Sequence, residues 1–139
     1  MLFKFAKNAG EKMTGALSNI FQKNKLDDSK VKAVQQGERV ILKGTAKTQA
    51  EAEKMIIAAG NNAGVADVES QIEVEEPAPE ATFYEVVSGD SLSKIAKAQY
   101  GDAMKYPVIF EANKPMLSDP DKIYPGQVLR IPPLEGATA

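Results

Sequence analysis

Histidine and cysteine are both absent from the 139 residues, which removes most side-chain chemistry at once. Without His the commonest general acid–base group and metal ligand are missing. Without Cys there is no disulfide and no thiolate site. Ser88, Ser91 and Ser93 have no imidazole to activate them. Carboxylates are plentiful, but none is paired in an apolar setting that would drive two pKa values apart. No phosphate-binding glycine motif occurs, and enzymatic activity is not expected. A binding role is left, and main-chain oxygens are one group that could serve it. A ring of neutral carbonyls can replace the water shell of a large, weakly hydrated monovalent cation. A helix supplies such oxygens at its C-terminus, where the last four C=O groups lack internal partners and the dipole favours positive charge. The run Gly60-Asn61-Asn62-Ala63-Gly64-Val65 follows a helical stretch and can fold its carbonyls back to that end. The plain alternative is a helix C-cap turn whose carbonyls face water.

The elements that would position these groups follow from periodicity. Val31–Gln36 and Arg39–Lys43 are strand-like about Gln36-Gly37-Glu38, a hairpin pattern. Thr48-Gln-Ala-Glu51 is a capping box, and Ala52, Met55, Ile56 and Ala59 then line one helical face. A third strand is expected over Val65–Val74, with Val68, Ile72 and Val74 alternating. Glu75 to Thr82 is rich in Pro and acid, which favours an extended connection. Beyond it Tyr84–Val87 reads as a strand and Ser88-Gly89-Asp90 as a turn. Leu92, Ile95 and Ala96 lie on one helical face. Gly101 closes that helix, Asp102 caps the next, and Pro125-Gly126 leads into a last strand, Val128–Ile131. Before all of this, Leu2, Phe5, Ala6 and Ala9, then Met13, Ala16, Leu17 and Ile20, repeat at helical spacing. They predict a basic helical arm, broken at Gly10 and Gly15. Such an arm suits an anionic membrane surface, or its apolar face docks on the rest of the protein, which is the reading preferred here.

The C-terminal stretch resembles the LysM module. The residues that carry the likeness are Tyr84-x-Val-x-Ser-Gly-Asp-Ser-Leu92, the Ile109-x-x-Ala-Asn113 spacing, and Ile123-Tyr-Pro-Gly-Gln-x-Leu-x-Ile-Pro132. That resemblance implies binding of N-acetylglucosamine-containing glycans. The groove would use Gly89, Asp90, Ser91 and Leu92 on one side and Asn113, Lys114, Pro115 and Met116 on the other. The preceding stretch resembles the BON domain through Val40-Ile-Leu-Lys-Gly44, Ala50 to Gly60 and Gly64-Val-Ala-Asp-Val68. It departs from that family by lacking room for a helix between Lys25 and Val31, so the arm is expected to fill the vacant place. The order BON then LysM, with Phe3-x-Phe-x-x-x-Ala-Gly-Glu-Lys12 ahead of it, resembles the small cytoplasmic potassium-binding BON–LysM proteins of bacteria. The likeness fails around Leu26 to Arg39, where this chain is shorter.

The expectation is an α+β protein. A helical arm (1–26) precedes a shortened BON-like ββαβ domain (27–76), a linker (77–82), a LysM βααβ module (83–133) and a disordered tail (134–139). The resemblance points to the same turn as the carbonyl argument, with the arm closing its other side. The candidate K⁺ ligands are therefore the backbone carbonyls of Ala6, Ala9, Gly60, Asn62 and Val65. K⁺ is the one cofactor expected, with glycan the alternative ligand. A net charge of −2 argues against nucleic acid. No apolar run approaches the ~20 residues of a membrane span. The N-terminus lacks the roughly 7–15 apolar residues of a signal peptide, so a cytoplasmic location is expected, as a monomer.

Overall fold

A computed structural model describes residues 2–5, 21, 26, 29–62, 64–114 and 116–134. The chain is α+β; the described residues form two sheets, with one helix on the first and a helix pair on the second. The first sheet holds β1 (Leu2–Lys4), β2 (Val31–Gln36), β3 (Arg39–Thr48) and β4 (Asp67–Glu76) in the order β1-β4-β3-β2. The β2–β3 hairpin turns at Gly37, and β3 and β4 run parallel. Parallel neighbours need a crossover, and α1 (Gln49–Gly60) provides it. The Thr48 hydroxyl caps α1, accepting from the Glu51 N–H at 3.2 Å, as the Thr-x-x-Glu pattern predicts. The helix buries Met55, Ile56 and Ala59 against Val40, Leu42 and Val68 of the sheet.

The N-terminus corrects the expected helical arm. Leu2–Lys4 is a strand that pairs antiparallel with β4, Phe3 opposite Val68. Two periods compete here. Leu2, Phe5, Ala6 and Ala9 fit a helix, but Phe3 and Phe5 alternate with Leu2 and Lys4, which are exposed. The open edge of β4 settles it, because an unpaired strand edge offers a row of backbone partners. Asp67 fastens this edge. Its carboxylate accepts from Arg39 at 2.9 Å and Lys4 at 3.5 Å. The Arg39 hydrogen bond, with both cationic charges, holds it below the usual carboxylate range. Further along, Phe21 is helical, 1% exposed, and joins the core with Leu26. Other residues of that arm, including Ala6 and Ala9, lie outside the described set.

The second sheet pairs β5 (Thr82–Glu85) antiparallel with β6 (Val128–Ile131). Between them come α2 (Leu92–Tyr100), a short 3₁₀ turn (Ala103–Lys105) and α3 (Tyr106–Ala112). Gly101 ends α2 at φ 78° as expected, and the Ser91 hydroxyl caps its start. Asp102 caps the 3₁₀ turn, whereas α3 itself starts at Lys105 without a side-chain cap. Leu92, Ile95, Ile109, Leu117 and Leu129 form this module's own core.

Candidate functional site

The turn after α1 is buried. Gly60, Asn61, Asn62 and Val65 are all shielded from water, while Gly64 is half-buried. Its shape is set by local bonds. The Asn61 N–H donates to Ile57 O at 2.9 Å, the Asn62 N–H to Ala59 O at 3.2 Å, and the Val65 N–H to Asn62 O at 3.3 Å. The turn is also tied to its neighbours. Ala66 donates to Glu38 O of the hairpin at 2.8 Å and accepts from the Phe5 N–H at 2.9 Å. The Phe5 ring lies against Gly60 so closely that a Cβ there would sit 2.1 Å from ring carbons. The N-terminal segment thus runs onto the turn, bringing Gly60, Asn62 and Val65 to the end of the strand that leads toward position 6. Among the described residues no group of three or more carboxylates gathers as a metal site. Oxygen ligands at this turn would be neutral main-chain groups, the donor set suited to a monovalent cation.

Of the eight residues of the expected glycan groove, Pro115 lies outside the described set. Gly89 to Leu92 form the entry turn of α2. The Asp90 carboxylate accepts from the Tyr84 hydroxyl at 2.6 Å and the Val87 N–H at 2.9 Å, and that bond raises the Tyr84 phenol above its ordinary range. Leu92 is core. Asn113 is 1% exposed. Its amide donates to Arg130 O at 2.9 Å and to Ile109 O at 2.7 Å, and accepts from the Arg130 N–H at 2.7 Å. Lys114 is exposed, paired with Glu111 at 2.9 Å and placed over the Phe110 ring. The Met116 sulfur meets the Asn61 amide at 3.3 Å. Gly89 and Lys114 are exposed, and Asp90 and Ser91 are half-buried.

Sequence reasoning missed the junction between the two domains. Glu53 on α1 and Arg130 on β6 form a buried ion pair, Nε to Oε1 at 2.9 Å and an Nη to the same oxygen at 2.8 Å. The other Glu53 oxygen accepts from the Ala81 N–H at 2.9 Å, while Arg130 also donates to Ala112 O at 3.0 Å. Phe3 packs on Phe83 with ring centroids 4.8 Å apart. Asn61 donates to Val128 O and accepts from the Val128 N–H, both at 2.9 Å. The Asn61 side-chain amide is thereby committed to β6. A groove of about 590 Å³ opens beside this junction, with Lys54, Pro107, Val108 and Pro132 in its walls. Burial there lowers the Lys54 ammonium below the ordinary lysine range, helped by the Arg130 charge. One signal was legible: Arg130 stands inside the apolar run Val-Leu-Arg-Ile.

The family models agree with this architecture. The BON domain matches residues 11–76 and the LysM domain residues 84–132. The BON match begins upstream of the boundary expected at residue 27. The potassium binding protein Kbp of Escherichia coli is 44% identical over 145 positions, which cover 94% of this chain and 97% of that protein. The chain belongs to the BON–LysM family of Kbp. An uncharacterized protein of Deinococcus radiodurans shares 38% identity over 84% of this chain and 49% of its own length. Esterase Rv1288 of Mycobacterium tuberculosis shares 49% identity over 53 residues, only 11% of that protein, too little to carry an activity across. BON and LysM are non-enzymatic families. No helix among the described residues is long and apolar enough to cross a membrane.

Proposed function

We propose that this BON–LysM chain binds K⁺ through backbone carbonyls of Gly60, Asn62 and Val65, with Ala6 and Ala9 completing the cage, and serves as a cytoplasmic K⁺ sensor or buffer. The observation that carries this reading is the buried turn at the end of α1, pressed by Phe5 and continuous with the N-terminal segment. It occurs in a chain 44% identical to a protein named for potassium binding. The helix dipole favours a cation at that end of α1. Ion binding is linked to docking of the LysM domain, because the same turn touches β6. The test is thermal unfolding in KCl against NaCl at one ionic strength. A ligand that binds only the folded state stabilises by RT ln(1 + [L]/Kd), about 2.7 kcal/mol at a hundredfold excess over Kd. The midpoint should climb with KCl and stay level in NaCl; equal responses reject the reading.

The LysM match supports a second reading, a site for N-acetylglucosamine-containing glycan on the water-accessible residues Gly89, Asp90, Ser91 and Lys114.

A further inference from the structure

Strand β6 has two edges and, among the described residues, one strand beside it. On the paired edge β5 lies antiparallel, Tyr84 opposite Leu129 and Thr82 opposite Ile131. The backbone groups of Val128 and Arg130 point the other way, as alternation along an antiparallel pair requires. A buried strand edge without partners is costly, and here two asparagine side chains close it. The Asn113 amide takes the N–H and C=O of Arg130, at 2.7 and 2.9 Å. The Asn61 amide takes the N–H and C=O of Val128, both at 2.9 Å. A primary amide presents one donor and one acceptor side by side, so each stands in for a residue of a neighbouring strand. The chemistry is the same twice, but the owners differ. Asn113 ends α3 inside the LysM module. Asn61 caps α1 in the BON domain, one residue from Gly60 and from Asn62.

We infer that Asn61 is a latch that couples the shape of the turn after α1 to the seating of the LysM domain. Its side chain reaches Val128 from this cap conformation, with its own N–H on Ile57 O. A ligand that holds the turn therefore holds β6, and a seated β6 holds the turn. The Glu53–Arg130 pair does not share this property, since Glu53 lies two turns earlier in the regular part of the helix. That the ligand is a monovalent cation rests on the proposed function; the latch itself rests on the geometry of Asn61. Linkage makes the coupling reciprocal: losing the latch weakens ion binding by the factor by which it frees the domain.

Amide hydrogen exchange on the full chain reads this directly, because Val128 and Arg130 are neighbours on one edge with caps from different domains. In KCl both amides should be protected. In NaCl at the same ionic strength, protection of Val128 should fall about tenfold or more while Arg130 holds, one hydrogen-bonded latch being worth roughly that factor. Asn61→Ala should expose Val128 in both salts, leave Arg130 protected, and raise the K⁺ midpoint about tenfold. Asn61→Ser serves the same purpose if the alanine variant does not fold. Val128 and Arg130 responding alike to salt and substitution, or a K⁺ midpoint unmoved by loss of Asn61, overturns the latch. If neither salt changes anything in the unsubstituted protein, the K⁺ reading fails separately. The latch then stands or falls on whether substitution at Asn61 exposes Val128 alone.

Discussion

A hydrogen where other residues carry a methyl group lets the N-terminal strand reach the end of α1. At Gly60 an added Cβ would meet the Phe5 ring at 2.1 Å, far inside contact distance. Helix propensity pulls the other way, since Ala in place of Gly gains up to about 1 kcal/mol in a helix. The overlap is the larger effect, because forcing a methyl into a packed core costs about 1–3 kcal/mol. Gly60→Ala should therefore lower stability in urea unfolding despite the better helix former. In a Phe5→Ala background, where the ring is gone, the same substitution should cost little or be favourable, and the double-mutant cycle should show strong coupling. Gly60 was legible as a helix stop but not for its main reason. Close approach depends on Phe5, fifty-five positions away in the chain. Asn61 was equally misleading: its type signals a turn, and its partner on β6 lies 67 residues on.

The elements that read correctly from sequence carry their instructions locally. Thr48 with Glu51 and Gly101 after α2 each act within one helical turn. The hairpin at Gly37 and strand β6 were legible for the same reason. Strand β1 was not, because three residues with two competing periods are decided by the edge of β4 they meet. Loops lie between these cases. The entry turn of α2 was placed correctly, but its expected partner Asn113 is committed to Arg130. A glycan site at this scale should consequently use the outward turn rather than the whole groove. With chitin oligomers at millimolar concentration, heteronuclear NMR should shift the amides of Gly89, Asp90, Ser91 and Lys114 and leave Asn113 still. No shift at those four would remove the glycan reading.

At the scale of the molecule, the two domains share buried polar contacts as well as a seam of apolar ones. Val128 of the LysM module belongs to the core of the first domain, and the Glu53 and Arg130 side chains are 5% and 9% exposed. A buried ion pair adds little net stability over an apolar one, but removing one partner strands the other at about 3–5 kcal/mol. Glu53→Ala leaves Arg130 its bond to Ala112 inside the module and takes away its counter-charge across the junction. The expected outcome is that docking weakens by that amount while the LysM fold persists. Urea unfolding of the unsubstituted protein should be one cooperative step, and that of Glu53→Ala two.

Composition, helical caps, turn residues and strand alternation were enough to read an α+β chain of two modules and to point at the turn after α1. Those signals act between residues close in sequence, where backbone sterics and side-chain reach suffice. The strand character of Leu2–Lys4, the seat of Phe5 on Gly60, and the contacts of Asn61 and Glu53 with β6 came from folding itself. Each joins groups dozens of residues apart, and a hydrogen bond or buried charge has no sequence signature until the chain supplies its partner.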